Sequence, residues 1–259
     1  MSITVDEIAS QLNLTGPFPQ QQYIEHMLSA FGAHGKRYMN AVDKWIAGGC
    51  EQSEADQLYS KMAKVPLMAD YATRHVYSAI YKKVGATLTT WGQLQDRTVV
   101  DVGCGFGHLT SLLARLHPTS KFIGLDKTNI VATAQKLNTS PQVPNLEFRT
   151  VKEISGEAAQ VALMVCVTHE AFPSVNEPET QPVASELEFV SRIRDLMGQD
   201  GVLVTINRFP WPIWQLPALD QLFASHRIYP CDVGLPASID VLEGGQTSVL
   251  PVRAYRCNH

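Results

Sequence analysis

Three glycines at alternate positions, Gly103, Gly105 and Gly107, follow an apolar run, Thr98-Val99-Val100-Asp101-Val102, and carry the densest chemical information in the chain. Glycine accepts positive φ and has no Cβ, so a turn built from three of them presents bare backbone to a ligand. The helix expected to begin near His108 adds its positive end. The β-branched run suits a strand buried on both faces of a parallel sheet, and such sheets bind ligands beyond the carboxyl ends of their strands, where Asp101 lies. A second apolar run, Lys121 to Leu125, ends on Asp126, nineteen residues beyond Gly107. A carboxylate there can accept hydrogen bonds from ribose hydroxyls. Position 108, where the dinucleotide pattern G-x-G-x-x-G needs its last glycine, holds a histidine, and no Tyr-x-x-x-Lys accompanies it. Both features count against a nicotinamide-dependent dehydrogenase.

Two further stretches at the same sheet edge carry groups able to act on a substrate. The fourth apolar run, Val161 to Val167, leads into Thr168-His169-Glu170. Histidine titrates in the useful range and is a common proton acceptor, which makes His169 the first candidate base and Glu170 the second. The alternatives are a histidine that orients a neighbour and a glutamate that opens the next helix. The fifth run, Val202 to Ile206, empties into Asn207-Arg208-Phe209-Pro210-Trp211-Pro212-Ile213-Trp214. Prolines restrict this loop while its rings offer apolar area, so Asn207, Trp211 and Trp214 are candidate acceptor contacts; a plug seated on the core is the alternative. Upstream, Tyr71, Arg74, His75, Tyr77, Ser78 and Tyr81 combine apolar bodies with polar tips. Tyr71 and His75 are taken as substrate candidates against the alternative of core packing with tips at solvent. No His/Cys spacing suits zinc, and no metal is expected.

The sequence Val-Asp-Val-Gly-Cys-Gly-Phe-Gly and the Gly-Leu-Asp at 124–126 together resemble the first two motifs of the class I S-adenosylmethionine-dependent methyltransferases, over roughly residues 97 to 207. That resemblance implies an α/β fold, a doubly wound, mostly parallel seven-stranded Rossmann-like sheet whose last strand is antiparallel. It implies S-adenosylmethionine as cofactor, with the backbone of Gly103, Cys104, Gly105 and Gly107 against its methionine part. Asp101 would lie near the ammonium, Asp126 on the ribose, and Val167 where the chain passes the methyl group. Family members place an acidic or polar side chain beside the adenine after the third strand. Here the segment reads Phe148-Arg149-Thr150-Val151-Lys152-Glu153, so either Val151 and Lys152 bracket the ring or Glu153 turns inward. The Asn-Pro-Pro-aromatic signature of amino-group methylation on nucleobases and glutamine is absent, as is the carboxylate run of catechol-type enzymes. The expected activity is methyl transfer to a small organic acceptor, on oxygen or nitrogen. The alternative is a cofactor-binding homologue that supports a partner protein without turnover.

Composition and pattern supply the frame. The chain has 259 residues, of which 45% are hydrophobic and 18% charged, and its net charge of −4 comes without a lysine/arginine run in sequence. It can bury a substantial core, and no nucleic-acid partner is expected. Five cysteines without a C-x-x-C pair read as reduced thiols. No apolar run approaches the roughly twenty residues that span a bilayer, and residues 1–20 lack a basic and apolar leader, so a cytoplasmic protein without membrane attachment is expected, with a homodimer among its expected states. Residues 1–90 read as a helical cap and 91–259 as the cofactor-binding catalytic domain. In the cap, Thr4-Val5-Asp6-Glu7 has capping-box spacing. The segment 5–16 faintly resembles the first helices of winged-helix modules, without a recognition helix or wing. A helix pair broken around Gly32 and Gly35 runs from Gln20 to about Gly48, and two more helices span Ser53 to Val65 and Pro66 to Val84, with Gly85 as the stop. Beyond the glycine turn, helix and strand alternate with short connections. Gly198 and Gly201 bracket a turn before the fifth strand. Ser238 to Glu243 with Gly244-Gly245 can add a hairpin to the last strand.

Overall fold

The structure, a computed structural model, describes residues 4–14, 16, 18–46, 57–58, 60–138, 143–153, 158–176, 181–207, 215–243 and 245–258. Helices α1 (Val5–Gln11), α2 (Gln20–Ile46) and α3 (Pro66–Trp91) precede the sheet. The Thr4 hydroxyl accepts from the Glu7 N–H at 3.2 Å while the Glu7 carboxylate accepts from the Thr4 N–H at 2.7 Å, which completes the capping box. Within α2, Gly32 has φ 50 and ψ −127, so the run is two helices joined at a kink. Pro66 opens α3, where its missing N–H removes no helical bond.

Gly85 does not stop α3. The helix continues to Trp91 and ends at Gly92, which adopts φ 73. At Gly85 the chain instead lets a second helix approach, since an added Cβ would lie 2.9 Å from Leu112 Cδ2. A glycine inside an apolar helical pattern is open to both readings, and helix crossing wins because the residues flanking it, Val84 and Leu88, are fully buried.

From residue 98 onward strand and helix alternate: β1 (Thr98–Val102), α4 (His108–Leu116), β2 (Lys121–Asp126), α5 (Thr128–Leu137), β3 (Leu146–Thr150), β4 (Ala159–Val165), α6 (Thr168–Ala171), α7 (Ala184–Leu196), β5 (Met197–Ile206), α8 (Gln215–Ala224), β6 (Ile228–Pro230), β7 (Ser238–Glu243) and β8 (Gln246–Cys257). The sheet order is β3-β2-β1-β4-β5-β8-β6, with β7 paired to β8 as a hairpin off that path. Strands β1 to β5 are parallel, and β8 runs antiparallel to β5, Val204 facing Ala254. This is the expected doubly wound, mostly parallel α/β sheet with a helical cap, and the hairpin adds the eighth strand.

The stretch 198–201 is not a turn outside the sheet. Ala159 pairs with Met197 and Val161 with Val202, so the intervening residues of β5 form an irregularity within the pairing. Gly201 is needed there because a Cβ would meet the Ala159 carbonyl oxygen at 2.7 Å.

Helices cover both faces of the sheet. On one, Ile80, Val84 and Leu88 of α3 join Leu112 and Leu113 of α4 over Val99, Val161 and Val204. On the other, Val190, Ile193, Leu219 and Phe223 of α7 and α8 lie over Val100, Ala162 and Leu203. A third apolar cluster, including Tyr23, Met27, Met62, Met68 and Ala72, ties the N-terminal helices to Phe106 and Ile130. Among the described residues no helix is long and apolar enough to cross a membrane, and no group of three or more metal-ligating side chains occurs.

Candidate active site

The chain leaves β1 through Gly103 (φ 77), Gly105 (φ 56) and Gly107 (φ 80), the last serving as N-cap of α4. All three lie in the left-handed region that disfavours a side chain. At Gly103 a Cβ would stand 2.4 Å from Val167 Cγ2, and at Gly107 it would stand 2.4 Å from Phe148 Cζ. The first glycine thus clears the space between β1 and β4, and the last seats the turn against β3. The turn is held from beside by Asp126 at the end of β2. Its Oδ2 accepts from the Gly105 N–H at 2.8 Å, and its Oδ1 from the Lys127 N–H at 2.7 Å. These two bonds fix the orientation of the carboxylate at the cavity wall.

Asp101 is buried at 2% exposure and accepts from the Thr110 hydroxyl at 2.6 Å. Burial pushes its carboxyl up to about 6, although the Thr110 bond works the other way; the nearby Asp126 adds to the rise. Burial also pushes the Cys104 thiol well up, with help from Asp126 and Asp101, so Cys104 stays protonated.

A cavity of about 470 Å³ opens over this turn. Its walls beside the turn are Gly103, Gly105, Asp126, Lys127, Ile130 and Val151, with Val167 and Cys166 from the end of β4. Cys166 has φ 58, rare for a residue with a side chain, and its N–H donates to the Ile206 carbonyl at 2.7 Å. That bend turns the chain out of β4 along the cavity. The remaining walls are mostly apolar: Tyr77 and Tyr81 from α3, Ala171, Pro173, Val183 and Phe189, with Glu170 at the edge. The Tyr77 and Tyr81 rings stack at 5.5 Å. Burial drives the Tyr81 phenol well above its ordinary value, with Tyr77 the next contributor, so its hydroxyl stays a neutral donor. Glu186 also reaches the lining, but its carboxylate accepts from the Ser174 and Val183 N–H groups at 2.8 Å each and is engaged in holding the loop before α7.

The cavity brings together Gly103, Gly105, Asp126, Val151, Val167 and Glu170 from the sequence-derived set. Asp101, Cys104 and Gly107 support the turn from beneath, and Lys152, in a short 3-10 turn after β3, does not line the cavity. Glu153 turns back to its own strand end, accepting from the Thr150 N–H at 2.9 Å. Tyr71 and His75 lie elsewhere: His75 stacks on Tyr23 at 3.8 Å and accepts from the Phe18 N–H at 3.2 Å, while Tyr71 stacks on His26 at 3.9 Å. They bind the N-terminal helices to α3, whereas Tyr77 and Tyr81, further along the same helix, face the cavity. Asn207 is buried at 2% and accepts from the Thr168 hydroxyl, joining the ends of β4 and β5. Trp211 and Trp214, with the rest of 208–214, lie outside the described residues, as does the side chain of His169 in α6.

Lys127, Ile130 and Phe189 also line the cavity and carried no sequence signal of their own. Lys127 and Ile130 were discoverable only as neighbours of Asp126 in the turn that opens α5. Phe189 belongs to an amphipathic helix whose inward face is identifiable but whose target is not. His108, in place of the last dinucleotide glycine, receives a structural partner: its Nε2 lies 2.9 Å from Asp70 Oδ1, and Asp70 also pairs with Arg74. Burial opposes ionisation of Asp70, but the bonds and charges of His108 and Arg74 outweigh it and hold its carboxyl below the usual range. This clasp ties the cap helix α3 to the first turn after the glycines.

Residues 94–178 match the family model described as "Methyltransferase domain". No curated protein matches the sequence. Among solved structures, the chain is similar to the O-methyltransferase NcsB1 from neocarzinostatin biosynthesis, solved with S-adenosyl-L-homocysteine and 1,4-dihydroxy-2-naphthoic acid. The two are 17% identical, the match covers 99% of this chain and 90% of that one, and the TM-score is 0.58. It is similar to the mitomycin 7-O-methyltransferase MmcR at 14% identity, covering 99% and 76% of the two chains with a TM-score of 0.57. It is also similar to human N-acetylserotonin methyltransferase, solved with S-adenosylmethionine, at 14% identity, 95% and 72% coverage and a TM-score of 0.52. At these identities the structural likeness establishes the fold, while the matched segment covers β1, the glycine turn, Asp126 and the end of β4. Residues 94–178, which hold β1, the glycine turn and Asp126, thus match a methyltransferase domain, and the chain as a whole has the fold of these methyltransferases.

Proposed function

We propose that the chain transfers a methyl group from S-adenosylmethionine to an oxygen or nitrogen of a small, largely apolar acceptor. The observation that carries this reading is one continuous cavity with two chemically different ends, a glycine turn with an oriented carboxylate at one and an aromatic chamber at the other. The residues present fit the cofactor. Gly103 leaves clear a space that a Cβ would close against Val167, and Asp126 lines the cavity with its carboxylate oriented by backbone N–H groups where ribose hydroxyls would meet it. Val151 and Val167 offer apolar contact to the adenine and to the region of the sulfur, and Asp101 lies beneath the turn, where an ammonium group would favour its ionised form.

When bound, the cofactor would supply an electrophilic methyl group on a sulfonium, with a neutral thioether as the leaving group. This chain's contribution is position and dryness. Tyr77, Tyr81 and Phe189 hold the acceptor and keep water away, and alignment of the reacting pair supplies most of the effect. For an acceptor whose proton must leave, His169 is the proposed base, because it follows Cys166 and Val167 of the cavity wall by a few residues. Glu170, at the cavity edge, is the second. The 1,4-dihydroxy-2-naphthoic acid solved with the similar NcsB1 is flat and aromatic, which is consistent with the tyrosine-lined chamber.

Calorimetry with S-adenosylmethionine and S-adenosylhomocysteine tests the cofactor end. Asp126→Ala should weaken both by ~1.5 to 3 kcal/mol, the worth of buried hydrogen bonds to a charged acceptor, while the variant remains folded. Unchanged affinity overturns the assignment. Product formation with a panel of phenols and aryl amines tests the acceptor end, and cofactor binding without product from any of them favours the non-catalytic alternative.

A further inference from the structure

A second cavity, of about 560 Å³, lies within the N-terminal helices, between the latter half of α2 and the segment that precedes α3. On α2, His34, Arg37, Tyr38, Ala41 and Lys44 recur at helical spacing and share its wall. Its opposite wall is Lys61 and Lys64 at the rim, with Met62 and Met68, each 3% exposed, at the floor. Tyr38 is largely buried and bonded through its hydroxyl to Tyr23, so it offers the cavity its ring and not a free polar tip. The interior is therefore thioether and aromatic carbon, and the rim is cationic. Among the described residues no carboxylate lines this cavity, and none pairs with Arg37, Lys61 or Lys64.

The protein carries a net charge of −4, so a cation-rimmed cavity runs against its overall balance. The basic lining does not stop at the cavity. Gln57, Lys61 and Lys64 continue into a shallow depression with Ser60 and Lys127, and those two residues also line the main cavity. A positive track thus joins the second cavity to the mouth of the proposed cofactor site. Arg37, Lys61 and Lys64 carry like charges with no counter-charge among the described residues, and the arrangement gains most from a ligand that neutralises the rim while filling the apolar floor. Its volume falls in the range of ~300–1,000 Å³ typical of small-molecule pockets.

We infer that this cavity is a binding site for a small amphipathic anion, a phosphate or carboxylate head on an apolar body, held by Arg37, Lys61 and Lys64 over the Met62 and Met68 floor. It is separate from the acceptor chamber walled by Tyr77, Tyr81 and Phe189. The observations favour a small molecule because the apolar part is enclosed between two helical segments.

Octyl phosphate is the probe, titrated calorimetrically into the full chain in the absence of S-adenosylmethionine, with inorganic phosphate and 1-octanol as single-feature controls. Saturable one-to-one binding is expected for octyl phosphate, with each control weaker by about tenfold or more. Lys61→Glu/Lys64→Glu should weaken it by about tenfold or more, since two exposed ion pairs become two repulsions, and added salt should weaken wild-type binding. Ala41→Trp fills the cavity without changing charge and should abolish binding; it keeps the test decisive if the double variant does not fold. No saturable binding to the wild type overturns the inference, as does inorganic phosphate binding as tightly as octyl phosphate, or undiminished binding by a folded Ala41→Trp protein. So does a wild-type dimer whose dissociation, and not whose ligand affinity, follows the charge variants in sedimentation.

Discussion

At the residue scale, the site depends on two carboxylates of one chemical type placed in different surroundings. Asp126 is oriented by two backbone N–H groups and turned toward the cavity, while Asp101 is sealed under the turn with one hydroxyl partner. The difference predicts distinct pH behaviour. In the folded chain the Asp101 carboxyl is raised from its ordinary 3.8 to about 6, so the native state holds this proton more tightly than the unfolded chain. The resulting stability is complete below about pH 4 and is lost as pH rises through about 6, an amount on the order of 3 kcal/mol for a shift of this size. Unfolding free energy measured between pH 4.5 and 7.5 should therefore fall in the wild type by a component missing from Asp101→Asn; parallel profiles would mean that Asp101 is ionised throughout. His169 gives a second outcome at this scale. For an acceptor that must lose a proton, His169→Ala should lower kcat by ~100-fold or more and spare cofactor affinity, and full turnover would leave catalysis to alignment alone.

At the element scale, the turn after β1 shows what a glycine does beyond freedom of φ. Gly103 and Gly234 have nearly the same φ, 77 and 80, but a Cβ at Gly103 would meet Val167 at 2.4 Å and one at Gly234 meets nothing within 4 Å. Gly234→Ala should cost only the left-handed strain, ~1 kcal/mol, and Gly103→Ala about 2 to 4 kcal/mol once crowding is added. Urea unfolding of the two variants separates strain from crowding, and equal losses would show that Val167 moves aside at no cost. The contrast also marks what could be learned from the chain alone. Strand β1, the glycine turn and Asp126 were legible because period, composition and spacing all point one way there. Gly85, Gly198 and Gly201 read as breaks in the sequence and lie within elements in the structure, because a glycine looks the same whether it ends an element or admits a neighbour. Tyr71 and Tyr81 share a helix and a chemical type; only the direction of each face, set by where α2 and α5 lie, sends one into the cap interior and the other into the cavity. Phe209 to Trp214, read as an apolar acceptor wall, stays an expectation.

At the scale of the molecule, the helical cap and the sheet share a core, and a boundary at residue 90 runs through it. Ile80, Val84 and Leu88 of α3 are fully buried against Leu112 and Leu113 of α4, and the Trp91 indole donates to the Val233 carbonyl at 2.7 Å. The first turns of α3 and the chain before it are joined differently, by the Asp70 and His108 clasp, by the Thr133 hydroxyl on the Ala63 carbonyl at 2.7 Å, and by the third apolar cluster. We expect the two attachments to separate by truncation. A fragment of residues 91–259 leaves one sheet face without three large side chains, each worth ~1.5–3 kcal/mol of burial, a sum comparable to the whole stability of an ordinary domain. It should unfold without a cooperative transition and bind a hydrophobic dye. A fragment of residues 66–259 keeps α3, and with it both walls of tyrosine and the clasp. It should unfold cooperatively, though less stably than the full chain, and retain cofactor binding, because Ser60 is the single described cavity residue that it loses. If the 91–259 fragment unfolds as cooperatively as the full chain, the sheet folds without the cap and the shared core is not what holds it together. If instead the 66–259 fragment fails to bind the cofactor while remaining folded, the segment before α3 is part of the site, and the basic track that meets the cavity at Ser60 and Lys127 acquires a direct role in holding its ligand.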